Sequence, residues 1–146
     1  MGYDLTAKDR SLGDLGYFRA TGDHMILLRT AMVAAGVKED LVYRKFVGND
    51  GLAITVLQSK HIAECLTTWL KRRAITVDLC EQNGAARSAN EAYFQVFMAL
   101  GNREARNRAK RFPKSKPLLF KIDSLARKQI REFAEFCRRS GGYWID

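Results

Sequence analysis

Apolar positions along this chain fall into helix-spaced stripes separated by short β-rich runs. Ile26, Leu27, Thr30, Ala31 and Ala34 recur at helical spacing behind Asp23, a residue able to cap, and ahead of Gly36, a natural terminator. Ile62, Cys65, Leu66, Trp69 and Leu70 make a second stripe and predict a helix over 59–73. Ile130, Phe133, Ala134 and Cys137 make a third, predicting a helix over 124–139 that ends at Gly141-Gly142 in a left-handed cap. Between the stripes, residues 41–47 and 52–57 are β-branched and apolar around Gly48-Asn49-Asp50-Gly51, a pattern that predicts a hairpin with a tight turn. Short strands are expected at 75–79, 118–122 and 143–145. The first 21 residues, rich in Gly and Asp, read as irregular and anchored by Tyr17-Phe18.

Residues 82–87 read as a loop, and Ser88-Ala89-Asn90-Glu91 has the form of a capping box opening a helix with Tyr93, Val96, Phe97 and Leu100 on one side. Gly101-Asn102 can break or kink it. At one hundred degrees per residue, Arg103, Arg106, Arg108, Lys110 and Arg111 then share a broad arc opposite Ala105, Ala109 and Phe112. That is an amphipathic cationic helix, closed by the extended connector Pro113-Lys114-Ser115-Lys116-Pro117. The two halves also echo each other. A shift of 68 positions lays Ile54 on Ile122, Ile62 on Ile130, Leu66 on Ala134, Trp69 on Cys137 and Val77-Asp78 on Ile145-Asp146. The expectation is a single α+β domain over 1–146, mostly helical with a small sheet, in which two strand-helix-strand units pack together.

Charge sharpens this picture. The net charge is +9, yet residues 1–53 hold seven cations against seven anions, and residues 101–146 hold thirteen against five. Arg103, Arg106, Arg108, Lys110, Arg111, Lys114 and Lys116 are opposed in their segment only by Glu104. Clustered cations point to a polyanionic partner, nucleic acid or a host nucleoprotein complex; the competing reading is a solvated helix face. A second functional class is a sponge for a small phosphorylated nucleotide held in a basic pocket. Lys71-Arg72-Arg73 reads first as the last turn of its helix, where cations suit the dipole.

Composition and motifs bound the remaining classes. A hydrophobic content of 47% excludes wholesale disorder, and three widely spaced cysteines, Cys65, Cys80 and Cys137, give no disulfide framework. Reduced thiols in a cytosol are expected. The start MGYDLTAKDR has neither the basic nor the apolar region of a signal peptide, and no apolar run reaches membrane-spanning length. No Walker loop, Gly-x-Gly-x-x-Gly, Gly-x-Ser-x-Gly or His-Glu-x-x-His is present, so no catalytic set, cofactor or metal site is assigned. His61 and Cys65, four apart on a helix, are half of a metal site at most, and Cys65 reads better as core; His24 reads as a local hydrogen-bonding residue. Asp4, Asp9 and Asp14 fall in the irregular start. Tyr43, Phe112, Tyr143 and Trp144 lie beside cations and are candidates for base stacking, and Tyr143 and Trp144 must point to opposite faces of a strand.

The opening Met1-Gly2-Tyr3-Asp4-Leu5, the patches Tyr17-Phe18-Arg19 and Asn49-Asp50-Gly51, and the closing Phe133-Ala134-Glu135-Phe136-Cys137 with Ser140-Gly141-Gly142-Tyr143 resemble a group of uncharacterised small phage and prophage proteins. The resemblance covers about half of the chain. It implies a phage or prophage origin and a host cytoplasmic setting, and brings no activity. Relatives carry paired Cys-x-x-Cys sites between Val77 and Pro117, where this chain has only Cys80, so no metal role is carried over.

Overall fold

In the computed structural model, the described residues are 2–46, 51–73, 75–78, 119–122 and 124–146. They form an α+β fold in which helices cover one face of an antiparallel sheet. The elements are β1 (Gly2–Ala7), β2 (Tyr17–Thr21), α1 (Gly22–Ala34), α2 (Glu39–Lys45), β3 (Leu52–Ile54), α3 (Val56–Leu70), β4 (Thr76–Asp78), β5 (Leu119–Lys121), α4 (Ser124–Arg139) and β6 (Tyr143–Ile145). The four-stranded sheet has the order β2-β1-β6-β3, and β4 and β5 form a separate two-stranded ladder. The 88–91 capping box, the 103–116 segment, Cys80 and the Asn49-Asp50 turn lie outside the described residues.

The start of the chain is regular, against expectation. Tyr3, Leu5 and Ala7 alternate with Asp4 and Thr6, so one side of β1 is buried and the other faces out. β1 pairs with β2 on one side and β6 on the other. The link between β1 and β2 is a 3₁₀ segment, Arg10–Gly16, whose start is capped by the Asp9 carboxylate accepting from the Ser11 N–H at 3.0 Å. Asp4 and Asp9 are thus fixed by secondary structure rather than loose.

The expected hairpin over 41–57 does not form. Residues 39–45 are the helix α2, because Val42 and Phe46, four apart, are both fully buried and Asp40 pairs with Arg44 at 2.9 Å along the outside. Glu39 and Asp40 at its start and Arg44 and Lys45 at its end suit the helix dipole. β3 pairs instead with β6, placing Ile54 opposite Tyr143. The second helix begins three residues before the expected Ser59, since Thr55 and Gln58 make a reciprocal capping box, and it ends at Leu70. α4 and β6 occupy the predicted spans, and Gly141 and Gly142 carry positive φ at the predicted cap.

The core lies between the sheet and the helices. Leu5, Ile54, Tyr143 and Ile145 from the strands meet Ile62, Leu66 and Trp69 of α3 and Ile130, Phe133 and Phe136 of α4. Phe136 and Tyr143 meet at a tilt with 5.1 Å between centroids, and Phe46 meets Phe133 edge-on at 6.3 Å. Each fully buried Ile, Leu or Phe contributes about 1.5–3 kcal/mol through lost apolar exposure. Ser59 donates to the Cys137 carbonyl at 2.5 Å, which satisfies a carbonyl at the end of α4 inside the core.

The two expected strand-helix-strand units are β3-α3-β4 and β5-α4-β6, and they are exchanged crosswise. The first strand of each pairs with the last strand of the other, so that they build two separate ladders rather than one common sheet. Moving Ile54 forward and Tyr143 back by 68 positions gives Ile122 and Ile75, which share a backbone hydrogen bond of 3.0 Å. α3 and α4 pack antiparallel, with Ser59 beside Cys137 at one end and Leu70 beside Arg127 at the other.

Candidate functional site

The segment that concentrates charge in sequence, with Arg103, Arg106, Arg108, Lys110, Arg111, Lys114 and Lys116, lies outside the described residues. Its points of attachment are described. Asp78 and Leu119, the described residues that flank 79–118, are register partners in the β4–β5 ladder. The attachment is therefore the open end of a two-stranded ladder.

Near the other end of that ladder stand Lys71, Arg72 and Arg73, all exposed. The sequence reading placed them in the last turn of a helix; they follow it, since α3 ends at Leu70. The role expected of them at the helix end is performed by Arg127 of α4. Its guanidinium donates to the carbonyls of Leu70 at 3.1 Å, Arg72 at 3.0 Å and Arg73 at 3.2 Å. With the carbonyls satisfied by another cation, the three side chains are free of that task. No ion pair joins them to an acidic group among the described residues, whereas Arg44, Lys128 and Arg138 all have carboxylate partners.

A second basic feature is a groove of about 350 Å³ between α2 and α3, walled by Lys38, Leu41, Arg44, Lys45, Gln58 and His61. Asp40 also reaches it but is engaged by Arg44. The groove adjoins a hollow of about 300 Å³ on the other side of His61, where Cys65, Glu64 and Arg72 contribute. The Cys65 sulfur is 3.6 Å from His61 Nε2, and Cys65 is half-buried, packed against the rim of the core. Burial pushes its thiol above its ordinary value, with Glu64 adding to the effect. Among the described residues no three His, Cys, Asp or Glu side chains gather where a metal ion could sit.

The outer face of the sheet carries the third feature. Tyr17 and Trp144 both pair in register with Thr6, so they flank the central strand, and they are 48% and 46% exposed. Trp144 points out while Tyr143 is fully buried, as strand alternation requires. Tyr17 donates its phenolic O–H to the Asp4 carboxylate, an interaction that raises the Tyr17 pKa, and Arg19 lies 3.6 Å from the same carboxylate. Lys8 sits over the Trp144 ring, 4.8 Å from its centre. Tyr17 was foreseen only as an anchor, and the signal for its exposure lies in the alternation Tyr17, Arg19, Thr21 against Phe18, Ala20.

Of the other stacking candidates, Tyr43 is half-buried on α2 and Phe112 lies outside the described residues. His24 differs from expectation. Its ring Nε2 is buried without a hydrogen-bond partner among the described residues, its ring lies 5.9 Å from that of Phe18, and desolvation lowers its pKa despite nearby Glu132. No described helix is long and apolar enough to cross a membrane. Comparison with known protein families, with curated proteins and with solved structures gives no match.

Proposed function

We propose that this protein is an accessory factor of phage or prophage origin that works in the host cytoplasm by binding a polyanion, either nucleic acid or a host nucleoprotein complex. The observation that carries the reading is the Lys71-Arg72-Arg73 cluster: three consecutive exposed cations, relieved of helix capping by Arg127 and without an acidic partner among the described residues. Among the described residues no acidic group pairs with these three cations, and a polyanion would supply that partner. In sequence, residues 79–118 fall between the two strands of the ladder that follows these three cations, and hold seven further cations between Arg103 and Lys116. Residues 54–146 thus hold both cationic runs of the sequence, while residues 1–53 are neutral.

Charge reversal tests this directly. Replacing Lys71, Arg72 and Arg73 by Glu, and separately Arg106, Lys110 and Arg111 by Glu, is expected to abolish retention on heparin in each case with the circular dichroism spectrum unchanged. Retention that survives both reversals rejects the reading.

A smaller ligand has one observation in its favour. The groove between α2 and α3 presents Lys38 and Lys45 around a volume within the range of small-molecule sites, with its single carboxylate, Asp40, paired to Arg44. On this second reading a phosphorylated nucleotide is captured there. Thermal stabilisation by mononucleotides, lost in Lys38→Glu and absent with duplex DNA or RNA, distinguishes it from the first.

A further inference from the structure

We propose that the outer face of the four-stranded sheet is a stacking platform for the unpaired bases of a single-stranded nucleic acid, with Tyr17 and Trp144 as the two rings. The inference rests on the polyanion reading and adds to it the strandedness of the target and a second contact surface. Single-stranded nucleic acid is the one class of polyanion that offers exposed π-faces as well as phosphates, and sheets that present aromatic residues outward are a recurrent way to hold it.

The argument starts from register. Tyr17 and Trp144 are both partners of Thr6, one on each neighbouring strand, so the rings stand two strand spacings apart, roughly 10 Å. They are too far apart to cover each other, and the residue between them is small. Thr6 is itself exposed, which leaves the space between the rings open among the described residues. Each ring can therefore take its own base.

Both rings are also held. The Tyr17 hydroxyl is tied to Asp4, which fixes the direction of the phenol across the strand pair. Trp144 is held from one side by the Lys8 ammonium at 4.8 Å. Rings already fixed lose less conformational entropy when a base arrives. Lys8, at the Trp144 ring, puts a cation at hand for an adjoining phosphate. The face also holds the carboxylate of Asp4, which Tyr17 and Arg19 engage, and beside it the exposed Asp146, so the two rings rather than net charge carry the attraction on this face.

The two tryptophans make the test direct, because Trp69 is buried in the core at 3% exposure and Trp144 is on the platform. Adding a short oligothymidylate to the full-length protein is expected to quench the tryptophan emission, and the duplex form of the same oligonucleotide is not. Trp144→Phe should remove most of that response. Trp144→Leu and Tyr17→Leu, which keep apolar bulk on the strands, should each weaken single-strand binding about ten-fold while heparin retention stays as in the wild type. Equal quenching by duplex, or unchanged affinity in both leucine variants, overturns the platform. In that case heparin retention that still depends on Lys71, Arg72 and Arg73 leaves the polyanion reading standing, and loss of all binding in the wild type removes both. Oligothymidylate-insensitive emission that instead responds to self-association of the protein also overturns it, since the rings would then be a protein contact.

Discussion

At the scale of single residues, Cys137 and His24 predict different kinds of behaviour. Cys137 is fully buried and its thiol is pushed up to about 12 by desolvation, although Tyr143 and Ser59 hydrogen-bond to it. The thiolate is the reactive form, so iodoacetamide at neutral pH should modify Cys65 slowly in the folded protein and Cys137 only after unfolding, as peptide mapping by mass spectrometry would read. His24 couples instead to stability. Its folded pKa lies below the ordinary 6.5 because burial disfavours the imidazolium, so just below pH 6.5 the unfolded chain takes up a proton that the folded one does not. His24 therefore lowers stability as pH falls from about 7 towards 5, and has no such effect above that window. The urea midpoint of the wild type should fall over that range more steeply than that of His24→Phe; parallel slopes would sink the assignment. Neither behaviour could be read from the sequence, since both depend on which groups the fold packs against the side chain: Tyr143 and the distant Ser59 for the thiol, Phe18 and the distant Glu132 for the imidazole.

At the scale of elements, legibility followed the strength of the local pattern. α4 was readable to its ends because five of its buried positions lie on one stripe of an otherwise charged segment and two glycines follow. α2 was not, because Leu41-Val42-Tyr43 has the composition of a strand, and only the burial of Val42 with Phe46 shows which period governs. β1 was missed for its Gly, Asp and Thr, although Tyr3, Leu5 and Ala7 carry the alternation. Of the candidate site, strand alternation made legible that Tyr143 and Trp144 face opposite ways, and the packing of Tyr143 into the core decides that Trp144 is the exposed one. The freedom of Lys71, Arg72 and Arg73 was not, because the residue that caps α3 in their place, Arg127, lies in another helix far along the chain. The glycine cap makes the sharpest test of how elements join. Gly142 has φ +90°, and a Cβ there would lie 2.7 Å from the Ile54 carbonyl oxygen and 3.1 Å from the Val56 nitrogen, both backbone atoms that cannot move aside. Gly142→Ala should cost at least about 3 kcal/mol in urea unfolding. Gly36 also has positive φ, at +100°, but open space around it, so Gly36→Ala should cost only about 1–2 kcal/mol.

At the scale of the whole molecule, the crosswise exchange of strands decides how the fold can come apart. β3 finds its partner in β6 and β4 finds its partner in β5, so neither strand-helix-strand unit contains a paired strand of its own. Each unit also depends on the other's helix. Ile62, Leu66 and Trp69 share one core with Ile130, Phe133 and Phe136, and the end of α3 is capped from α4. A unit left alone would expose that apolar face and both strand edges, a loss that three-residue strands cannot offset. The two units should therefore unfold together despite the forty residues, 79–118, that separate them in the chain. One tryptophan lies in each, Trp69 in α3 and Trp144 in β6. In Trp144→Phe the remaining fluorescence reports the first unit, and in Trp69→Phe the second. Within each variant the fluorescence midpoint in urea should coincide with the midpoint from circular dichroism at helical wavelengths. A fluorescence transition that precedes the loss of helix in either variant would show that one unit survives without the other, which the shared ladders and the shared core do not allow.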